Sequence, residues 1–161
     1  MKKIFLQAII ISVISAVLFY LSNLMNPSPG QSSGNGNPAI IFMFILVPLF
    51  CYLVILWVKL FKKVNLKPTM LVLGIVAIAT HWMVGFFYQK GSLIKYKNIL
   101  QDAYHEQHGF VDNVYIDQIT SLFSIHVNNQ YFNLNTYLMF LTLSILISSL
   151  VIITQKSIKS S

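Results

Sequence analysis

The chain contains no arginine, a single cysteine and only four acidic residues, and each shortage removes a class of function. One cysteine, Cys51, excludes an internal disulfide and any paired-cysteine zinc or redox motif. Charged residues make up 9% of the 161, against about 25% in ordinary soluble domains. With 56% hydrophobic residues, this is the composition of a membrane protein. Lysine supplies all eleven basic residues, and isoleucine and asparagine are abundant, a bias that points to an AT-rich bacterial genome. The net charge of +7 does not imply a nucleic-acid partner, because the lysines flank apolar runs and orient them in a bilayer.

Four such runs are each long enough to span, which takes about 20 helical residues. They cover Ile4–Leu24, Pro38–Val58, Pro68–Tyr88 and Leu134–Thr154, and none contains Asp, Glu, Lys or Arg. The first is longer than a signal-peptide core and has no small-residue cleavage site after it, so it reads as a retained span. Lys2, Lys3, Lys59, Lys62, Lys63, Lys67, Lys156 and Lys159 then fall on one side, and all four acids fall on the other. The positive-inside rule makes the lysine side cytoplasmic. The expectation is an all-α integral membrane protein of the bacterial cytoplasmic membrane: a four-helix bundle with both termini cytoplasmic, a cytoplasmic loop at 59–67 and a tail at 155–161.

Two connections lie outside. The first, 25–37, is rich in Gly, Ser, Asn and Pro and reads as a flexible connector. The second, 89–133, is too long and too patterned to be a tether, and is expected to form a small α+β extracytoplasmic subdomain. Ser92 to Gly109 reads as one amphipathic helix, with Ser92 as N-cap and Gly109 just past the C-terminus. Leu93, Tyr96, Ile99, Leu100, Ala103 and Tyr104 share its apolar face. Farther on, LFSIHVNNQYFNL alternates with period two around Asn128-Asn129, which predicts a hairpin pairing Phe123 with Leu134 and Ile125 with Phe132. Helix over 115–125 is the alternative.

The run QDAYHEQHGF concentrates Asp102, His105, Glu106 and His108. Its histidines stand at i and i+3, so it is not the H-E-x-x-H zincin motif. Asp102, His105 and His108 would converge on a metal only if a further element such as His126 joined them. Otherwise the acids are solvated charges, and the histidines favour the negative end of a helix. No other cofactor is indicated.

Inside the membrane the ionisable residue is His81, with Thr142 as a plausible partner at its depth. Helix glue is the favoured reading, because no span supplies a carboxylate or a second histidine for a relay. Gly74 and Gly85 flank it on one face, and Ser12, Ser15, Ser144 and Ser148 give similar small-residue packing strips on spans 1 and 4. Pro48 is expected to kink span 2, Cys51 to be buried, and span 2 to face lipid or a partner. Several four-span families are excluded by residue content. Quinone-coupled thiol oxidases need cysteine pairs, and small multidrug transporters need a carboxylate in their first span.

These readings favour a non-enzymatic accessory, sensing or self-protection protein working through its outer loop, with a partner membrane protein or as a homo-oligomer. A metal-dependent membrane enzyme or metal handler using the loop histidines is one alternative, and an oligomeric small-solute carrier is another.

Overall fold

The computed structural model describes residues 1–31 and 36–160. Four long helices dominate: α1 (Lys2–Leu24), α2 (Ala39–Val64), α3 (Pro68–His108) and, after two short ones, α6 (Leu134–Ser160). All four are long and apolar enough to cross a membrane. Such helices satisfy every backbone polar group internally, the condition that hydrocarbon imposes. Between α3 and α6 lie α4 (Asn113–Ile119), a 3₁₀ turn at Ile125–Val127 and α5 (Asn128–Tyr131).

Local chemistry sets the breaks. Asn65 ends α2 in the left-handed conformation, with φ 49°. Lys67 is extended before Pro68, as a residue preceding proline must be, and Pro68 opens α3 where its missing N–H costs nothing. Gly109 closes α3 at φ 76° and donates its N–H to His105 O at 2.8 Å. At the lysine-rich end, Lys156 Nζ donates to Leu66 O at 2.7 Å and ties α6 to the short α2–α3 connection.

Packing between α1 and α2 follows a seven-residue spacing. Ala8, Ser15 and Ser22 on α1, and Ala39, Leu46 and Leu53 on α2, are buried at i, i+7 and i+14. Small side chains let the backbones approach, and dispersion contact then holds helices that gain nothing from leaving lipid. Ser144 and Ser148 are fully buried on α6, and Ser148 Oγ donates to Val54 O at 3.1 Å as well as to Ser144 O. Tyr137 OH reaches Ser12 O at 3.0 Å.

The order of helices qualifies one expectation. α2 packs against both α1 and α6 and so has a helix on each flank, yet Ile41, Phe44 and Val47 still face outward, while α3 meets α6 and lies at the edge. Cys51 is exposed, not buried. α2 runs unbroken through Pro48.

The larger correction concerns 89–133. Among the described residues the structure is all-helical, 84% helix with no strand, so the α+β subdomain does not form. Ser92 is not an N-cap: α3 continues through it for 41 residues, about 60 Å at 1.5 Å per residue. Roughly half of that is surplus to a hydrocarbon core of about 30 Å. The hairpin fails too. Phe123 adopts φ 72°, Ser124 Oγ accepts from His126 N to start a 3₁₀ turn, and Asn128 opens α5 instead of a β-turn. An isolated pair of strands has no third partner to stabilise it, whereas this segment finds amide partners on other elements. Of the alternative helix at 115–125, α4 contains the first five residues.

Candidate functional site in the cap

The projecting half of α3, α4 and the 121–133 segment form a cap over one end of the long helices. Its apolar part is small. Tyr96 and Leu100 of α3 are buried against Ile116 of α4, with Tyr104, Tyr115 and Ile119 around them. Asp112 caps α4 by accepting from Tyr115 N at 3.0 Å. Lys97 and Asp117 pair at 2.9 Å on the solvated side.

Amides do most of the remaining binding. Asn37 and Asn128 exchange two hydrogen bonds, at 2.8 and 3.0 Å. Asn23 Nδ2 donates to Phe132 O at 2.7 Å, and Asn26 bridges Tyr96 OH and Asn129 N. Gln89 donates to Gln130 O, and its own carbonyl accepts from Asn133 and Asn135. Asn135 Nδ2 also donates to Gly85 O at 3.0 Å. The connector expected to be flexible is therefore anchored at both described ends, and Gly30 lies against the Gln107 side chain. Its middle, 32–35, lies outside the described residues. Sequence reasoning passed over this network, although the density of Asn and Gln around the span ends is its signal.

The loop histidines are not gathered into one centre. Asp102, His105 and His108 are exposed along the end of α3, while His126 is buried in the 3₁₀ turn. Among the described residues no three His, Cys, Asp or Glu side chains are placed to hold a metal. His108 stacks on Tyr104 with ring centroids 4.4 Å apart. It shares with His126 a cavity of about 370 Å³, whose walls include Gln31, Tyr104, Gln107 and Tyr115. Burial pushes the His126 imidazole below its usual pKa, since the charged form loses hydration there. Its Nδ1 has no hydrogen-bond partner.

Within the spans, Thr142 Oγ1 donates to Leu138 O at 2.8 Å. Its lone pairs are left to accept from Trp82 Nε1 at 3.3 Å and to face His81 Nδ1 at 3.4 Å. The group joins α3 to α6. Gly85 is buried, and a Cβ there would lie 3.0 Å from both Asn135 and Met139, so glycine allows this approach. A Cβ at Gly74 would meet nothing within 4 Å, so that glycine packs no helix. Ser12 Oγ bonds Ala8 O within its own helix, and Ser15 Oγ is buried without a partner.

Two further hollows open sideways. One, about 420 Å³, is walled by Phe19, Leu46, Phe50 and Phe140 and holds no ionisable chemistry beyond Tyr131. The other, about 550 Å³, lies between α3 and α6, with His81 and Tyr88 below Ser92, Asn129 and Asn133.

The fold and cap define an all-helical membrane protein with four candidate transmembrane helices and an amide-locked helical cap. No protein-family model, curated protein or solved structure matches the chain.

Proposed function

We propose that the chain is a multi-pass protein of the bacterial cytoplasmic membrane, with both termini cytoplasmic and the cap outside. It acts there as a non-enzymatic accessory, sensing or self-protection protein. The lysine distribution supports the orientation, because eight of eleven lysines sit at the end opposite the cap.

One observation carries the functional reading. The amides around the helix tops are committed to one another and to backbone, in a network from Asn23 to Asn135, rather than converging on a point where a reacting atom would sit. Amides neither titrate nor attack, and tied together they make a rigid platform on the helix tops. Such a platform suits recognition by a partner membrane protein or by a second copy of the chain.

The test is purification in mild detergent through a C-terminal tag, with identification of whatever elutes in constant stoichiometry. A constant partner, or a defined homo-oligomer, is expected, and weakening it by cap substitutions would place the contact. Catalytic turnover by the chain alone, or a stoichiometric metal lost in His105→Ala/His108→Ala, would overturn the reading.

A further inference from the structure

We propose that the cavity between α3, α4 and the 3₁₀ turn binds an uncharged sugar ring, presented as a free or polymeric glycan or as a glycolipid headgroup. The volume, about 370 Å³, is that of a small-molecule site. Its wall chemistry excludes the other ligand classes in turn.

Among the described residues no Lys, Asp or Glu lines the cavity, so an ionic ligand would be desolvated without a counter-charge. A hydrocarbon ligand fails for the opposite reason. His126 is 4% exposed, with Nδ1 unpartnered, and the amides of Gln31 and Gln107 face the same space. Apolar filling would leave the buried His126 nitrogen unsatisfied and cover the polar side of the two glutamines. A structural zinc site needs four ligands, and the two imidazoles here have no third titratable ligand beside them.

What remains is a neutral ligand with hydroxyls on its edge and an apolar face. The Tyr104 and Tyr115 rings lie 5.2 Å apart at 37°, and His108 lies against Tyr104, which gives an aromatic wall for the C–H face of a pyranose. The two glutamines offer both donors and acceptors to hydroxyls. Burial keeps the His126 imidazole neutral at physiological pH, where it can both donate and accept. His108 is exposed at the rim, which leaves the cavity a way in.

This inference rests on the outward cap proposed above, because envelope glycans lie on that side. Binding is measured on purified protein, so its failure is separate from failure of the orientation, which thiol accessibility in cells reports.

The experiment is saturation-transfer NMR on the full chain in phosphatidylglycerol nanodiscs, free of sugar detergents, with millimolar glucose, galactose and N-acetylglucosamine. Transfer to at least one sugar is expected. It should weaken about tenfold in Gln107→Ala, as for one lost polar contact, and more in Tyr104→Ala. Asn98→Ala, on the solvated face, should bind as the native chain does. Gln107 is exposed, so its truncation leaves the fold intact even if His126→Leu does not. Nanodiscs doped with a monohexosyl diacylglycerol compete with the free sugar if the headgroup is the source; lack of competition assigns a soluble or polymeric glycan. No transfer from any of the three sugars, or transfer unchanged in both cavity variants, would overturn the proposal. So would zinc binding that is lost in His108→Ala.

Discussion

Asn37 and Asn128 hold each other through two amide hydrogen bonds, of 2.8 and 3.0 Å, across 91 residues of chain. Asn37 Oδ1 also accepts from Ala39 N at the start of α2, and its amide nitrogen reaches Phe123 O at 3.0 Å. One side chain thus fixes the entry to α2, the strained Phe123 and the start of α5. The pair is one of several amide ties, with those of Asn23, Asn26 and Gln89, that seat the cap on the long helices.

Breaking that pair should be costly. Asn128 is 1% exposed, so Asn37→Ala leaves a buried amide unpaired. A loss of about 1–3 kcal/mol is expected. Asn37→Ala/Asn128→Ala should cost less than the sum of the single changes. Thermal unfolding in detergent of the native chain, the two single variants and the double variant measures the cycle. Additive losses would mean that the amides do not act as a pair.

Acid should weaken the cap through His126. Its folded pKa lies below the ordinary 6.5, so the unfolded chain takes up the proton first as pH falls. Stability is complete above that range, declines as pH drops through it, and levels off below the folded value. The titratable groups sharing the cavity are Tyr104, Tyr115 and His108, so a His108 variant serves as the control. The slope should persist in His108→Gln and flatten in His126→Gln, read from unfolding between pH 8 and 5. Equal slopes in both variants would assign it elsewhere.

The α1 seam makes a prediction about size rather than polarity. Ser15 is fully buried and its hydroxyl unpartnered, so Ser15→Ala should be neutral or slightly stabilising. Ser15→Leu should cost about 1–3 kcal/mol by forcing α1 away from its neighbours. A destabilised Ser15→Ala would show that the hydroxyl has a bonding role.

In the spans, Thr142→Val removes the acceptor for Trp82 Nε1 and the neighbour of His81 Nδ1 while keeping shape. Membrane hydrogen bonds average about 0.6 kcal/mol, so a loss near that value is expected. Detergent unfolding of Thr142→Val beside native chain checks it. A loss several times larger would give His81 more than a packing role.

The long helices were legible because lipid imposes a simple rule: about 20 apolar residues, charge at the ends. Pro68 and Gly109 marked breaks by chemistry visible in single residues, whereas the end of α2 at Asn65, inside the expected loop, was not read. The cap was not legible. Period-two alternation around Asn128-Asn129 describes a strand only if neighbouring strands exist, and here the asparagines bond Asn37 and Asn26 instead, far away in sequence. Ser92 looked like a cap because a serine opens the amphipathic pattern, yet its hydroxyl bonds Gln130 and the helix runs on. The loop histidines were visible as a cluster, but spacing along α3 could not reveal that His126 would line a cavity with His108 and not with His105 or Asp102.

An outward cap is central to the proposed role, and thiol accessibility tests it most directly. In a Cys51→Ser background, Asn98→Cys places a thiol on the exposed face of the cap, and Lys63→Cys places one at the lysine-rich end. An outward cap predicts that a membrane-impermeant maleimide labels Asn98→Cys in intact cells and Lys63→Cys only after permeabilisation. Labelling of Lys63→Cys in intact cells, with Asn98→Cys protected, would contradict it.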